Sequence, residues 1–240
     1  MAPQPIKLIL ASTSPRRKEL LGLGGWNFKI LPADVDETPF SGESPQDYVV
    51  RLAGEKARAV GSQAQNHELI IAADTIVADG SKILGKPVDA QDAFKVLQSL
   101  RGRAHQVYTA AAVYQPGSNK LLTDLAHTEV PMRAYTDAEI DAYIATGDPF
   151  DKAGSYAIQH PGFRPVDQLS GCYANVVGLP LCHLERLLRQ FGIYPINDIP
   201  TACQASLQYT CTEFINIQNS PVPAARAAQH KMQAGAEGDL

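Results

Sequence analysis

Two adjacent arginines stand where a helix is expected to begin. Arg16 and Arg17 follow Ser14-Pro15, a pair typical of a helix N-cap and first helical position. Because the helix dipole disfavours each cation there by about 0.3–1 kcal/mol, their presence needs another reason. Free backbone N–H groups and two planar guanidinium groups suit the oxygens of a polyphosphate. The alternative is that both side chains point into water beside surface carboxylates; the strand-to-helix context makes us favour phosphate binding.

A second anomaly is Asp74, a carboxylate within the apolar stretch Leu69 to Val77. The stretch reads as a strand buried on both faces, where an unpaired charge would be prohibitively unstable. Asp74 must therefore meet a cation, a metal ion or water in a cleft, which makes it a candidate general base or metal ligand. The alternative is an aspartate at a strand end or bulge that caps backbone groups. The residue alone leaves both interpretations open.

Weaker signals come from Asp36-Glu37, Lys56 and Lys86, each of which alone would read as solvated surface. If they converge with Asp74 and the arginine pair, the set combines oxygen ligands for Mg²⁺ with cations for phosphates, as phosphoryl chemistry requires. Spacing along the chain does not prove that convergence.

The segment from Asp148 to Gln159 contains turn residues and small side chains that let a backbone approach a ligand, and Gln159 can hydrogen-bond a base edge. A plain loop is the alternative. The six histidines show no metal-ligand spacing, and no G-x-S-x-G motif is present. A zinc site or a serine hydrolase triad is therefore not expected.

The elements that must position these residues alternate between strands and helices, which predicts an α/β fold. Capping residues at Ser14, Ser44, Asp89 and Thr136 mark four helix starts, and Asp79-Gly80 marks a tight hairpin turn. The predicted strands are 7–12, 28–32, 69–78, 82–84, 105–114, 121–133 and 172–177; the predicted helices are 15–23, 44–60, 89–102, 136–147 and 179–191.

The apolar periodicity fades after the last predicted helix. We therefore divide the chain into a domain over 1–192 and a C-terminal extension over 193–240. After Asn219 the residues are mostly Ala, Gln, Gly and Pro, which cannot repay the entropy of ordering, so a mobile tail is expected.

Composition narrows the function classes. The 240 residues carry 21 Lys plus Arg against 25 Asp plus Glu, a net charge of −4, whereas a general nucleic-acid binder is more often basic. No apolar run reaches the roughly 18 residues of a membrane span, and the first residues lack the pattern of a secretory signal. We expect a cytoplasmic protein with no membrane and no nucleic-acid polymer as partner.

The four cysteines fit no zinc spacing and are read as free, mostly buried thiols. A disulfide framework is not expected in a chain of this kind, although the last two could in principle pair. The residues are Cys172, Cys182, Cys203 and Cys211.

The same residues resemble the Maf family of nucleoside triphosphate pyrophosphatases over nearly the whole span from Leu8 to Gly192. Eight motifs follow in the family's order, which is hard to obtain by accident. They are Ser-x-Ser-Pro-Arg-Arg at 12–17, Asp-Glu at 36–37, Glu-Lys-Ala at 55–57, Ala-Asp-Thr at 73–75, Gly-Lys-Pro at 85–87, Asp-Lys-Ala-Gly at 151–154, Tyr-x-Ile-Gln at 156–159 and Asn-Val-Val-Gly-Leu-Pro at 175–180.

This resemblance implies a two-lobed α/β fold of the inosine-triphosphate-pyrophosphatase type, with a mixed twisted sheet and a central cleft. It implies hydrolysis of a nucleoside triphosphate to the monophosphate and pyrophosphate with Mg²⁺ or Mn²⁺, and it suggests a homodimer. Asp74 would accept the proton from the attacking water and, with Glu37, hold the metal. The residues implied to hold phosphates are Ser12, Arg16, Arg17, Lys56 and Lys86.

Within the family, Arg16, Thr75 and Gln159 resemble the subgroup that acts on dTTP and UTP. Two regions depart from the family pattern: the loop from His160 to Leu169, next to the expected base pocket, and the extension from Ile193 onward.

Two functions remain in view. The first is a hydrolase that removes dTTP, UTP and modified nucleotides from the pool. The second is a nucleotide-sensing regulator of cell division without turnover, since the family is also associated with inhibition of septum formation. It ranks lower because the acids and bases of an enzyme are all present, and a general RNA binder ranks lowest for want of a basic stripe or aromatic platform.

Overall fold

A computed structural model describes residues 6–222 and places a six-stranded mixed sheet at the centre of the protein. The strand order is β2-β1-β3-β5-β6, with the short β4 paired to β3. β1 runs parallel to β2 and β3, whereas β4 and β5 are each antiparallel to β3, and β6 is antiparallel to β5. The strands are β1 (Leu8–Leu10), β2 (Phe28–Ile30), β3 (Leu69–Asp79), β4 (Lys82–Leu84), β5 (Ala104–Gln115) and β6 (Lys120–Pro131).

Eight α-helices of five or more residues surround the sheet in the described part of the chain. The longest has 17 residues, and none between residues 6 and 222 is long and apolar enough to cross a bilayer. The helices are α1 (Pro15–Gly22), α2 (Pro45–Gly61), α3 (Ala90–Leu100), α4 (Asp137–Ile144), α5 (Tyr173–Val177), α6 (Leu181–Arg189), α7 (Ile199–Leu207) and α8 (Glu213–Asn219).

The predicted helix starts are confirmed by their caps. Ser14, Ser44 and Asp89 each accept a hydrogen bond from a first-turn backbone N–H, and Thr136 forms the expected capping box with Glu139. Gly80 lies in the predicted hairpin turn with φ +62°, a conformation that favours glycine.

β3 is buried on both faces, as its apolar sequence predicts. Leu69, Ile71 and Ala73 pack with residues of α1 and α6 on one face, while Ile70 and Ala72 pack against α2 on the other. Each fully buried large side chain contributes about 1.5–3 kcal/mol relative to exposure. The strand that carries Asp74 is therefore firmly held.

The predicted strand over 172–177 is wrong, because Tyr173–Val177 forms the short helix α5. The β-branched Val176-Val177 favours a strand locally, but a long-range contact decides the conformation. The buried Asn175 side chain donates to the backbone oxygen of Val107 and to the hydroxyl of Thr128. These bonds hold the Asn175 side chain against β5 and β6, while the backbone of the segment forms helical bonds such as that from the N–H of Gly178 to the oxygen of Ala174.

Packing does not stop at residue 192, where the sequence places the domain boundary. Ile199 of α7 is buried in the same apolar cluster as α6, and Phe214 and Ile217 of α8 pack against it. Trp26 also donates to the backbone oxygen of Tyr194. The expected mobile tail stays a prediction, because residues 223–240 lie outside those described.

Candidate active site

A cleft of about 900 Å³ opens beside the second half of β3 and the residues that follow β1. This volume lies within the range of small-molecule sites. Its lining includes nine of the residues that the sequence singled out for chemistry, so the convergence that spacing alone did not prove is present for them; Asp36 does not line the cleft and accepts a hydrogen bond from the backbone of Thr38 instead. The nine residues are Ser12, Arg16, Arg17, Glu37, Lys56, Asp74, Thr75, Lys86 and Gln159.

Asp74 lies in the middle of β3, paired with Ala110 of β5, and not at a strand end. Its side chain is only 10% exposed and meets a cation, since the Nζ atom of Lys56 lies 2.6 Å from Oδ1. Burial raises the pKa of the Asp74 carboxyl, while Lys56 and Arg17 oppose that shift. The geometry thus matches the first of the two interpretations, a carboxylate paired in a cleft.

Lys56 connects two acids. Its Nζ atom also lies 2.6 Å from Oε1 of Glu37, whose side chain is 57% exposed in the loop before α2. The hydrogen bond from Lys56 lowers the pKa of Glu37, which keeps that carboxylate ionised. Lys56 was expected to hold phosphate; in the structure it holds two carboxylates in the same region of the cleft.

Arg17 is directed into the cleft by two hydrogen bonds. Its Nε atom donates to the backbone oxygen of Gly178 at 2.9 Å, and Nη2 donates to the Thr75 hydroxyl at 3.0 Å. Burial lowers its pKa, and Asp74 opposes that shift. Gly178 has φ +118°, and a Cβ atom there would lie 3.2 Å from the Thr75 hydroxyl, so glycine is needed at this contact.

Two further cations line the cleft without a hydrogen bond or ion pair to any residue between 6 and 222. Arg16 is half-buried next to Arg17, and Lys86 is exposed just after β4. Ser12 is buried, and its hydroxyl accepts a hydrogen bond from the backbone of Ser14. Gln159 is exposed at the same cleft. Arg16 and Lys86 are thus free to meet an anion.

Sequence reasoning missed the residues that hold the Glu37 loop. Tyr48 and Arg51, one turn apart on α2, donate to the backbone oxygens of Glu37 at 2.7 Å and of Thr38 at 3.2 Å. Arg51 also pairs with Glu43 at 2.7 Å. Burial and the nearby charges of Asp74 and Glu37 raise the pKa of Tyr48 to about 12, so it remains a donor. The available signal in the sequence was the i, i+3 spacing of Tyr48 and Arg51 on α2, the helix that also carries Lys56.

The same cleft contains acids that suit a divalent cation. Within residues 6–222, no group of three or more His, Cys, Asp or Glu side chains forms a metal cage. Glu37 and Asp74 both lie 2.6 Å from one cation, however, so their oxygens are close together. Mg²⁺ is commonly held by one or two carboxylates together with substrate phosphates, and this pair fits that donor set.

Comparison with known proteins places the chain among related sequences. The model of the Maf-like protein family matches residues 7–191. A dTTP/UTP pyrophosphatase of Geotalea uraniireducens (strain Rf4) is 48% identical over 185 residues, covering 77% of this chain and 95% of the relative. One of Anaeromyxobacter dehalogenans (strain 2CP-1) is 48% identical over 194 residues, covering 80% and 96%. One of Clostridium botulinum (strain Loch Maree / Type A3) is 46% identical over 190 residues, covering 78% and 97%.

Solved structures match more weakly. The nucleoside-triphosphatase / dITP/XTP pyrophosphatase of Mycobacterium abscessus has a TM-score of 0.35 and 17% identity, covering 53% of this chain and 73% of that one. The Staphylococcus aureus Ham1 protein has a TM-score of 0.40 and 14% identity, covering 67% and 79%. The mixed α/β sheet and the cleft are as the sequence resemblance implies. With the family model spanning 7–191 and relatives at 46–48% identity, the chain belongs to the Maf-like protein family.

Proposed function

We propose that this protein hydrolyses nucleoside triphosphates, dTTP and UTP above others, to the nucleoside monophosphate and pyrophosphate. The observation that carries the proposal is the position of Asp74, a buried carboxylate at the cleft that is paired with Lys56 and close to Arg17. The curated relatives at 46–48% identity are dTTP/UTP pyrophosphatases, which supports the same substrates here.

In the proposed reaction, Asp74 accepts a proton from a water molecule as the water oxygen attacks the α-phosphorus. The bond between the α-phosphorus and the bridging oxygen breaks, and pyrophosphate leaves with that oxygen. Asp74 suits this role because Lys56 and Arg17 favour its ionised form against burial. A base held within a buried strand also needs little reorganisation during the reaction.

The cations of the cleft take the phosphate charges. Arg17 is held by Gly178 and Thr75, which leaves the remaining N–H groups of its guanidinium for phosphate oxygens. Arg16 and Lys86 bring further positive charge to the cleft. The Ser12 hydroxyl, two residues after the end of β1, lines the same cleft. Together these groups stabilise the charge that develops on the leaving pyrophosphate.

We assign Glu37 and Asp74 as the ligands of a divalent cation, Mg²⁺ or Mn²⁺, which when bound would neutralise phosphate charge and orient the triphosphate. Lys56, which contacts both acids, would keep its contact with Asp74 and direct a further N–H to a phosphate oxygen. Arg16, Thr75 and Gln159 would set the preference for dTTP and UTP. The proposal includes a cytoplasmic location and a homodimer, and static light scattering of the purified chain tests the latter.

The experiment is to incubate the purified protein with Mg²⁺ and a panel of nucleoside triphosphates in ¹⁸O-labelled water. Attack at the α-phosphorus places the label in the monophosphate and leaves pyrophosphate unlabelled, with dTTP and UTP turned over fastest. Label in orthophosphate, or no turnover of any triphosphate, would refute the proposal.

A further inference from the structure

A small cavity lies between the domain and the C-terminal extension, and all four cysteines line it. Cys172 stands just before α5 and Cys182 lies on α6, whereas Cys203 lies on α7 and Cys211 precedes α8. All four are free thiols. The cavity lies outside the active-site cleft, and the reaction proposed above uses none of its residues.

Within this cavity, the chain around Cys211 is held beside the chain around Cys172. The Sγ atom of Cys211 lies 3.8 Å from the backbone oxygen of Gly171, the residue before Cys172. The hydroxyl of Tyr209, two residues before Cys211, hydrogen-bonds the backbone oxygens of Leu169 and Gly171 at 3.0 Å each. The segments that carry Cys172 and Cys211, which are far apart in sequence, therefore lie side by side.

The four thiols differ in reactivity. Cys211 is half-buried, and the neighbouring Cys172 thiol together with the backbone N–H groups of Glu213 and Phe214 lowers its pKa. The same contact and burial raise the pKa of Cys172. Burial raises the pKa of Cys182 to about 12 and that of Cys203 to about 11. Because the thiolate is the nucleophile, Cys211 is the thiol that reacts first.

We propose that Cys172 and Cys211 form a reversible disulfide when the protein meets a hydroperoxide. The Cys211 thiolate attacks the peroxide oxygen, the O–O bond breaks, and hydroxide leaves, which gives a sulfenic acid on Cys211. The Cys172 sulfur then attacks the sulfenic sulfur, its proton joins the departing hydroxyl, and water leaves as the S–S bond forms. The peroxide is the two-electron oxidant, and a dithiol reductant reverses the change.

The disulfide would tie the extension to one end of α5. The backbone oxygen of Cys172 accepts hydrogen bonds from the N–H of Asn175 and the hydroxyl of Thr128, so Cys172 is anchored to the domain. Gly178, at the other end of α5, holds Arg17. Oxidation would therefore fix the segment between α7 and α8 against the helix that also positions a cleft arginine.

The test uses the full chain treated with hydrogen peroxide and then digested without reductant for mass spectrometry. The proposal expects the free thiols to fall from four to two, with a cross-link between the peptides that contain Cys172 and Cys211, reversed by dithiothreitol. Cys203→Ser is the matched control and should retain the cross-link, whereas Cys211→Ser should lose it. Oxidation of Cys211 to sulfinic acid without a cross-link, a cross-link between any other pair, or no loss of thiols would overturn it.

Hydrogen exchange of the α8 backbone amides tests whether the disulfide restrains this helix. These amides should exchange more slowly after oxidation of the wild-type chain, and treatment of Cys211→Ser should leave them unchanged. Equal exchange in oxidised and reduced wild-type protein would refute the fixing of the extension. The wild-type peptide map decides the disulfide even if the variant fails to fold.

Discussion

Lys56 of α2 and Asp74 of β3 are joined by an ion pair of 2.6 Å in which both side chains are nearly buried. The pair links the longest helix of the described chain to the central strand at the cleft. Burial raises the pKa of Asp74, and among the groups that oppose this shift Lys56 has the largest effect. The ionisation of the proposed base therefore depends on this lysine.

The first prediction concerns Lys56→Met. Lys56 counteracts the rise in the pKa of Asp74 that burial causes, so removing this cation should raise that pKa further. Because the reaction needs the ionised carboxylate, the acidic limb of the pH profile of kcat/KM should move to higher pH by about one to three units. Lys82→Met, on the exposed end of β4, should leave the limb in place. A limb that stays or moves to lower pH in Lys56→Met contradicts the assignment.

Arg17→Met should lower kcat/KM about 10²–10³-fold, the effect of losing one donor to a developing phosphate charge. The neighbouring Lys18 is exposed and lies outside the cleft lining. Lys18→Met is therefore the matched control and should stay close to wild type in steady-state kinetics. Equal losses in the two variants would mean that helix charge, not phosphate contact, explains the effect.

Arg51→Met should loosen the loop that carries Glu37, because Arg51 holds the Thr38 backbone and Glu43. If Glu37 binds the metal, the Mg²⁺ concentration for half-maximal activity should rise about 10- to 100-fold, as for other groups that orient metal ligands. Arg58→Met, on the same helix but bonded to Asn119, is the control. A lower kcat with unchanged metal dependence would remove this role from Arg51.

Arg186 of α6 holds the end of α8 and the two residues after it in place. It pairs with the buried Asp124 of β6 and donates to the backbone oxygens of Ile217, Ser220 and Pro221. Arg186→Met should lower the free energy of unfolding by about 3–5 kcal/mol in urea titrations, since it leaves a buried carboxylate unpaired. Arg103→Met is the control, because it breaks an exposed ion pair with Asp79. It should change the free energy of unfolding by less than about 1 kcal/mol. Similar decreases in the free energy of unfolding for the two variants would refute the anchoring role of Arg186.

The cleft residues could be predicted because several of them break local rules. Asp74 is a charge in an apolar strand and Arg17 a cation in the first turn of a helix, and such violations persist where another contact requires them. The pairing of Lys56 with both Glu37 and Asp74 was not predictable, because it depends on the distance between α2 and β3.

The helices that the sequence did not predict, α5, α7 and α8, likewise depend on contacts between distant parts of the chain. Val176 and Val177 favour a strand, but the buried bonds of Asn175 impose α5. The packing of α7 and α8 depends on contacts such as those of Arg186 with Ile217, which join distant parts of the chain. No local pattern within residues 193–222 shows what those helices cover.

Asp74→Asn tests the central claim most directly, with turnover of dTTP and binding of a non-hydrolysable analogue measured on the same preparation. The account predicts a fall in kcat of about 10²–10⁴-fold, the usual contribution of a general base, while the dissociation constant of the analogue changes little. An asparagine variant that turns over dTTP at the wild-type rate would contradict it.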